Sequence, residues 1–392
     1  MWQTIPFRTP KVIFGMNSIQ QLGGEAKALN TKKALLISGP NVKSSGTLEK
    51  AEKSLKEAAI DFEVHVLQRT TSEPTTDMAE DTAKLIQQKG ADLVVGIGGG
   101  SVLDVAKMAA ALTANPGKVR DYFGSEKVKN KGTKSMLVPT TSGTGSEVTQ
   151  HAIFLDLENN VKKAVASQAI MSDTAIVDPM LAVTSPRNVT AASGFDAWLH
   201  SAEPFVSKNA NPITDALSLQ AVDIITRNLG TAWSDPNDLD ARYNMSLGSL
   251  MSGFPLANAG TSLVHAMAYP IGGEFHTPHG ISLSVLLLAC FKAIAASKGE
   301  RLVRLAEAMG ENMEGLSIRE GVEVALDAMF YMLRSVELPT CLSEIGITDR
   351  SKAKAWAKDA WNERRLLGRS PRDLTEEEIT RIYEDAFDPY KK

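Results

Sequence analysis

The segment that decides the fold is residues 93–107, which read LVVGIGGGSVLDVAK. A short apolar run leads into three consecutive glycines, and a helical pattern begins at Ser101. This order predicts a buried strand, a tight turn and the first turn of a helix. Glycines permit positive φ and close approach of a ligand, and a helix N-terminus offers free N–H groups and a partial positive charge. We therefore predict a pyrophosphate site around Gly98, Gly99, Gly100 and Ser101.

This glycine segment alone does not exclude a turn without a ligand. It lacks the GK[ST] of a Walker loop, and Ser101 stands where a strict GxGxxG pattern has its last glycine. A second loop, residues 139–147 (PTTSGTGSE), follows the next predicted strand and is rich in hydroxyl groups. Two such loops after parallel strands would meet at one edge of the sheet, where open α/β sheets bind ligands. The pair of loops therefore favours nucleotide binding.

The two halves of the chain have different periodicity. The first half alternates predicted strands with predicted helices, which indicates βαβ units and a mostly parallel sheet. After about residue 185, strand patterns nearly vanish and long amphipathic stretches follow, at 213–228, 240–251, 299–309 and 318–336, with a capping box at Thr375. We predict an α/β dinucleotide-binding domain over 1–185 and an all-α metal- and substrate-binding domain over 186–392. A cleft between them is the expected ligand site.

Composition argues against nucleic-acid-binding, secreted and membrane-spanning proteins. The chain has 392 residues, with 46 acidic and 42 basic side chains and a formal charge of −4, which argues against a nucleic-acid partner. Its two cysteines are isolated, so a reducing compartment is expected. The N-terminus lacks a signal-peptide pattern, and the longest apolar run, near residues 283–290, is far shorter than the roughly 20 residues of a membrane span. We expect a cytoplasmic protein with no membrane partner.

A set of metal-ligating residue types lies in the helical half. Asp196 and His200 are four residues apart and share a face if the segment is helical. His265 lies in another helical pattern, and His279 follows fourteen residues later. One carboxylate and three imidazoles suit a divalent metal such as iron, zinc or nickel, with an open position for a substrate oxygen. Spacing alone does not exclude His276, and each histidine alone could be an ordinary core or surface residue.

Six motifs, in this order, closely resemble the iron-containing (group III) alcohol dehydrogenase family. They are GGGSVLDVAK (98–107), PTTSGTGSEVT (139–149), AIVDP (175–179), GFDAWLH (194–200), HAMAYP (265–270) and TPHG (277–280). The likeness runs from residue 14 to the C-terminal helix. It implies an N-terminal Rossmann-like domain, a helical C-terminal domain and reversible hydride transfer between small primary alcohols or diols and aldehydes. Members often form dimers or larger homo-oligomers.

The resemblance also assigns individual residues. It implies that NAD(P) is bound by Gly98, Gly99, Gly100 and Ser101, with Asp104 nearby, by Thr140, Thr141 and Thr144, and that Lys162 lies near the ribose. It implies that the metal ligands are Asp196, His200, His265 and His279. The usual metal of the family is Fe(II), sometimes Zn(II).

The chain departs from the family pattern at three positions. Tyr269 replaces a family histidine four residues after the third ligand that is thought to relay a proton, and a phenol is a poorer base. Tyr269 and His276 are therefore both candidate relay groups. Gly39 replaces an aspartate that disfavours a 2′-phosphate, so we expect NADP(H) to be accepted. Pro204 is expected to kink or end the ligand helix one turn beyond His200.

Two other readings remain. A dehydroquinate-synthase-like enzyme or polyol-phosphate dehydrogenase shares the two-domain plan and a similar metal site. A non-catalytic nucleotide-binding sensor or assembly subunit could keep the same fold. A phosphate- or phosphonate-bearing aldehyde would require extra cationic pocket residues, and the sequence alone does not locate any.

Overall fold

The computed structural model describes residues 4–68, 73–158 and 161–391. The chain forms two compact units, an α/β unit over Arg8–Ser185 and a helical unit that begins at Pro186. Residues 4–7 belong to the helical unit, whereas the sequence prediction assigns them to the α/β domain. The aromatic ring of Phe7 lies 6.3 Å from that of Phe254, a long-range contact that no local pattern reveals. The functions predicted for the two units stay predictions.

The α/β unit consists of alternating strands and helices. Its strands are β1 (Lys11–Phe14), β2 (Lys33–Ser38), β3 (Asp61–Val66), β4 (Leu93–Gly98), β5 (Gly124–Ser125), β6 (Lys134–Pro139), β7 (His151–Asp156), β8 (Val161–Ala166) and β9 (Thr174–Val177). Its helices are α1 (Leu22–Ala28), α2 (Pro40–Ser44), α3 (Thr47–Glu57), α4 (Thr76–Lys89) and α5 (Gly100–Leu112). Helix α5 begins one residue before the predicted start at Ser101.

The main sheet is parallel throughout and has the strand order β1-β9-β6-β4-β2-β3. Alternate residues of each strand face two separate cores. Leu35 and Ile37 of β2 pack on the side of α4 and α5, whereas Leu36 packs on the side of α1 and α3. The predicted α/β fold class is confirmed. Because β3 and β4 flank β2 on opposite sides, the strand order reverses at β2, and such a switch point is where open sheets bind ligands.

The helical unit is built from helices, most of them long, as predicted. They are α6 (Arg187–Val206), α7 (Pro212–Ser234), α8 (Leu239–Asn258), α9 (Leu263–Phe275), α10 (His279–Met309), α11 (Ile318–Ser335), α12 (Ala353–Asn362), α13 (Arg364–Leu367) and α14 (Glu376–Ala386). One contiguous apolar core joins them, with Trp198, Phe205 and Phe291 at its centre.

Helix α10 is the one described helix that is long and apolar enough to cross a membrane by composition. Of its most apolar window, 67% is buried inside the helical unit, which is the environment of a core helix. Lys298 interrupts the helix with φ −136° and ψ 24°. Because most of its apolar window is buried, the apolar face of α10 packs on the core of the helical unit.

Helix α6 continues through Pro204 and ends two residues later, at Val206. The expectation that the helix ends at the proline is therefore wrong, and a kink at Pro204 stays a prediction. A proline removes one backbone hydrogen bond, but the residues that follow, Phe205 and Val206, are fully buried and packed in the core. Packing of these side chains outweighs the loss of one N–H donor.

Candidate active site

Three imidazole side chains of the helical unit converge on one carboxylate oxygen. Helix α6 supplies Asp196 and His200, α9 supplies His265, and His279 is the first residue of α10. Oδ1 of Asp196 lies 3.3, 3.6 and 3.9 Å from Nε2 of His200, His265 and His279, in that order. The i, i+4 spacing of Asp196 and His200 brings both to one face of α6, as predicted. These four residues form what we term the metal-ligand cluster.

The metal-ligand cluster has the chemistry of a cation site. Oδ1 of Asp196 is buried and accepts no well-formed hydrogen bond from any described residue. Ligand atoms of Asp196, His265 and His279 all lie within 4.8 Å of one another, and Nε2 of His265 is 3.2 Å from Nε2 of His200. A buried oxygen without a donor is costly unless something else pairs with it. A divalent metal among the imidazole nitrogens would pair with it.

Electrostatics of the metal-ligand cluster favour added positive charge. Although burial opposes ionisation, the neighbouring imidazoles lower the pKa of Asp196 and keep the carboxylate ionised. Burial also opposes protonation of His265, but the nearby carboxylates of Asp196 and Glu203 raise its pKa to about 9. The carboxylates of Asp196 and Glu203 thus favour a nearby positive charge, which a metal ion or a proton on His265 can provide.

Glu203 is a candidate functional residue that the sequence analysis did not identify. It is 1% exposed and lies seven residues after Asp196, on the same face of α6. Its Oε2 lies 2.5 Å from Nδ1 of His265, and its Oε1 accepts hydrogen bonds from the Val264 N–H and the Ser262 hydroxyl. A carboxylate on Nδ1 fixes the tautomer that leaves Nε2 for a metal. The i, i+4 and i+7 spacing of Asp196, His200 and Glu203 places all three on one helix face, and this pattern could have identified Glu203 from the sequence.

The two candidate proton-relay residues lie in different surroundings. Tyr269 is half-buried on α9, one turn beyond His265 on the same face, and its Oη accepts a hydrogen bond of 3.4 Å from Nη2 of Arg365. His276 ends α9 in the left-handed region, with φ +52°, and is exposed. No hydrogen bond or ion pair joins His276 to another described residue. Helix geometry thus associates Tyr269 with the ligand face, and the relay role of each residue stays a prediction.

The two glycine-containing loops of the α/β unit lie side by side, as predicted. Gly98 pairs with Pro139 in the sheet register, and the Thr140 N–H donates to the Gly98 carbonyl at 3.0 Å. Farther along, Gly100 packs against Thr144. We term residues 98–101 and 139–149 the paired loops. They follow β4 and β6 at the carboxyl edge of the sheet, next to the switch point at β2.

Two glycines of the first loop, Gly98 and Gly100, leave space for neighbouring side chains. None of Gly98, Gly99 and Gly100 has positive φ, so left-handed backbone is not what requires glycine at this turn. A Cβ on Gly98 would lie 2.7 Å from the Val102 side chain, and one on Gly100 would lie 2.7 Å from the Thr144 side chain. Close packing of strand, helix and neighbouring loop therefore favours glycine at positions 98 and 100, whereas a Cβ on Gly99 would meet Thr141 at an ordinary 3.6 Å.

Asp104 and Lys107 connect α5 to the second loop. The Asp104 carboxylate accepts hydrogen bonds from the Ser146 hydroxyl at 2.5 Å and the Ile153 N–H at 2.8 Å. The fully buried Lys107 ammonium donates to the backbone carbonyls of Ser146 and His151. Burial lowers the pKa of Lys107. Both oxygens of Asp104 are engaged within the protein, which favours a positioning role; its predicted contact with the cofactor remains a prediction.

The remaining predicted cofactor residues lie at separate places in the α/β unit. Gly39 caps α2 with φ −90°, and a Cβ there would meet only Val102, at an ordinary 3.6 Å. Lys162 on β8 forms a 2.8 Å ion pair with Glu73. Thr140 and Thr141 are half-exposed on the second loop. Their roles toward the cofactor stay predictions.

Comparison with known proteins identifies the class. Residues 9–179 match the family described as iron-containing alcohol dehydrogenase, and residues 190–387 match the C-terminal part of the Fe-containing alcohol dehydrogenase family. Long-chain-alcohol dehydrogenase 1 of Geobacillus thermodenitrificans (strain NG80-2) is 39% identical over 95% of this chain and 94% of its own. The NAD-dependent methanol dehydrogenase of Bacillus methanolicus is 33% identical over 97% of this chain and 99% of its own.

A solved structure gives the same result. The crystal structure of a 1,3-propanediol oxidoreductase superposes with a TM-score of 0.93 at 32% identity and covers 98% of this chain and 100% of that one. The chain belongs to the iron-containing alcohol dehydrogenase family. It is an alcohol dehydrogenase, a metal-dependent and nicotinamide-linked enzyme that interconverts alcohols and aldehydes. The sensor and dehydroquinate-synthase-like readings are not favoured.

Proposed function

We propose that the metal is held by Asp196, His200, His265 and His279. Fe(II) is the proposed metal, and Zn(II) and Ni(II) are the alternatives. The observation that carries this proposal is the buried Oδ1 of Asp196, which faces three imidazole nitrogens and accepts no well-formed hydrogen bond from a described residue. Imidazole and carboxylate ligands suit all three metals, and the family name supports iron.

The chain's own residues have defined tasks around the reacting group. When bound, the metal would polarise an aldehyde oxygen and the reduced nicotinamide would supply hydride to its carbon. Glu203 holds Nδ1 of His265, so that Nε2 is directed toward Asp196. Because Tyr269 accepts a hydrogen bond from Arg365, its own phenolic hydrogen is available to the substrate oxygen. His276 is the alternative proton relay.

The paired loops bind NAD in this proposal. Backbone N–H groups at the start of α5 take the pyrophosphate, and the second loop adds hydroxyl donors. The assigned residues are Gly98, Gly99, Gly100, Ser101, Thr140, Thr141 and Thr144, with Asp104 and Lys162 nearby. The position of the loops beside the sheet's switch point supports this assignment. Gly39 lacks a carboxylate after β2, so NADP(H) is accepted as well.

The substrate is a small primary alcohol or diol, or the matching aldehyde. The relatives are named for long-chain alcohols, methanol and 1,3-propanediol, so their names fix the reacting group but not the remainder of the molecule. The resemblance to the family supports a homo-oligomer of two or more subunits, and the sequence pattern favours a cytoplasmic location.

Metal removal and reloading test the proposed function. Chelated protein is expected to lose turnover of short aldehydes with NADH, and added Fe(II) is expected to restore it. Elemental analysis of protein purified without added metal identifies the native ion. The same aldehyde panel run with NADPH tests the cofactor range. Full turnover by protein that holds less than a tenth of a metal per chain would refute the metal assignment.

A further inference from the structure

Two arginines of the C-terminal segment lie beside the phenol that replaces the family histidine. Nη2 of Arg365 lies 3.4 Å from Oη of Tyr269. Arg369 is close enough to Arg365 for the two positive charges to repel each other. Tyr269 follows His265 by one helical turn on the same face of α9. We term Tyr269, Arg365 and Arg369 the arginine pocket.

The loop before α9 is shaped to admit one of these guanidinium groups. A Cβ on Gly260 would lie only 2.0 Å from Nη1 and 2.5 Å from Cζ of Arg369, so a larger residue would displace this guanidinium. Gly260 also has φ +77°, in the left-handed region that favours glycine. Two residues later, the Ser262 hydroxyl donates to Glu203, which holds the metal ligand His265. The guanidinium therefore lies against the loop that leads into the ligand helix.

The positive charge of the arginine pocket has no counter-charge in the described part of the chain. Neither Arg365 nor Arg369 forms an ion pair there, and Nη1 of Arg369 is buried without a hydrogen-bond partner. Burial, together with repulsion by Arg365, lowers the pKa of Arg369 to about 10. Arg301 of the same unit shows the usual arrangement, because it forms two hydrogen bonds to Asp215 at 2.7 and 3.0 Å. A buried cation without such a partner is costly.

We propose that the arginine pocket binds an oxyanion at the far end of the substrate, which is therefore a short aldehyde, or the matching alcohol, that carries a carboxylate or a sulfonate. This inference rests on the proposed function, because it places the carbonyl group at the metal-ligand cluster. The helix rises about 6 Å from His265 to Tyr269, and the Arg365 guanidinium lies 3.4 Å from the phenol oxygen, so Tyr269 lies between the carbonyl end and the oxyanion end, with room for a few carbon atoms between those ends. A guanidinium fork suits a carboxylate or sulfonate because two N–H groups can donate in parallel.

A pair of aldehydes of matched length tests the proposal. The ratio of kcat/KM for 4-oxobutanoate to that for butanal is measured at saturating NADH in wild type, Arg365→Met and Arg369→Met. We expect the wild-type ratio to exceed about 10 and to fall at least about tenfold in each variant, since each loses a charge-assisted hydrogen bond. Arg364→Met is the control, because the Arg364 guanidinium stacks on Trp361 in the same segment, and its ratio should stay at the wild-type value. Running 3-oxopropanesulfonate in parallel distinguishes a sulfonate from a carboxylate preference.

Calorimetry with anions that do not react gives a readout independent of turnover. Butanoate and propane-1-sulfonate should bind wild type and Arg364→Met, bind Arg365→Met and Arg369→Met at least tenfold more weakly, and bind wild type less tightly as salt increases. A wild-type ratio near one, or an equal loss on both aldehydes in both variants, would overturn the proposal. If wild type reduces neither aldehyde, the proposed function fails. Calorimetry still tests the inference in that case. Binding of the anions to wild type would support it, and no binding would refute it.

Discussion

The metal-ligand cluster and the paired loops are built from different parts of the polypeptide. The metal-ligand cluster consists of charged and imidazole side chains on long helices, held by a further carboxylate, Glu203. The paired loops consist mainly of backbone, with glycines that allow close packing and with Asp104 and Lys107 as connections. The first site should therefore respond to changes in chemistry at constant volume, and the second to added volume at constant chemistry.

The largest expected effect tests the chemical sensitivity of the metal-ligand cluster. Asp196→Asn keeps the shape of the side chain but removes the charge that three imidazoles surround. We expect metal content to fall below a tenth of the wild-type value and turnover to fall about 10³-fold, because a metal contributes several kcal/mol to such a reaction. His265→Gln should behave in the same way. His65→Gln, on β3 of the α/β unit, is the control for loss of a histidine and should retain the metal. Unchanged metal content in Asp196→Asn would contradict the assignment.

Glu203→Gln is a milder change of chemistry at the same site. The amide still reaches His265, but it no longer favours the tautomer and the charge that direct Nε2 toward Asp196. Loss of such an outer carboxylate typically costs about 10- to 100-fold in metal affinity or activity. A metal titration followed by activity separates the two effects, because a positioning role predicts that excess metal restores part of the activity. A loss of thermal stability with unchanged metal affinity would instead indicate that Glu203 only supports packing.

Local patterns were sufficient to predict the fold and part of the metal-ligand cluster. Periodicity distinguishes strands from helices, and the i, i+4 spacing brings Asp196 and His200 to one face of α6. The choice of His265 and His279 over His276 came from the family resemblance. Contacts between distant segments were not predictable in this way. Arg365 approaches Tyr269 from 96 residues away, and no periodicity connects them.

The reason for the glycines in the paired loops could also be found only from the three-dimensional structure. The triplet GGG permits both positive φ and close approach, and the structure shows that close packing of side chains, not left-handed backbone, accounts for Gly98 and Gly100. The residues that exclude a Cβ are Val102, which follows on α5, and Thr144, which lies on the other loop. A run of glycines in a sequence does not distinguish a conformational requirement from a spatial one.

Gly100→Ala tests the spatial sensitivity of the paired loops. The new methyl group would lie 2.7 Å from Cγ2 of Thr144, so Thr144 or the start of α5 must shift. We expect NADH affinity, measured by nucleotide fluorescence, to fall about tenfold, since overpacking costs about 1–3 kcal/mol. Thr144→Ala removes the atom that clashes. In a double-mutant cycle, Gly100→Ala should therefore cost less in the Thr144→Ala background than in wild type. An equal cost in both backgrounds would show that the two loops do not determine each other's position.

The smallest effect is expected from a change of charge in the α/β unit. It tests whether that unit responds only to added volume or also to a change in chemistry. Gly39 caps α2 with φ −90°, and its missing Cβ would be 3.6 Å from Val102, so aspartate fits without strain. A carboxylate there would repel a 2′-phosphate by about 1 kcal/mol in a solvated position, which corresponds to about a fivefold change. We expect Gly39→Asp to lower kcat/KM for NADPH relative to NADH by about this factor, whereas Gly39→Asn, which adds similar volume without charge, should leave the ratio nearly unchanged. The difference should shrink at high salt, because an exposed charge is screened. Equal ratios in the two variants would mean that position 39 does not face the ribose. Discrimination between the two cofactors would then depend on other residues of the α/β unit.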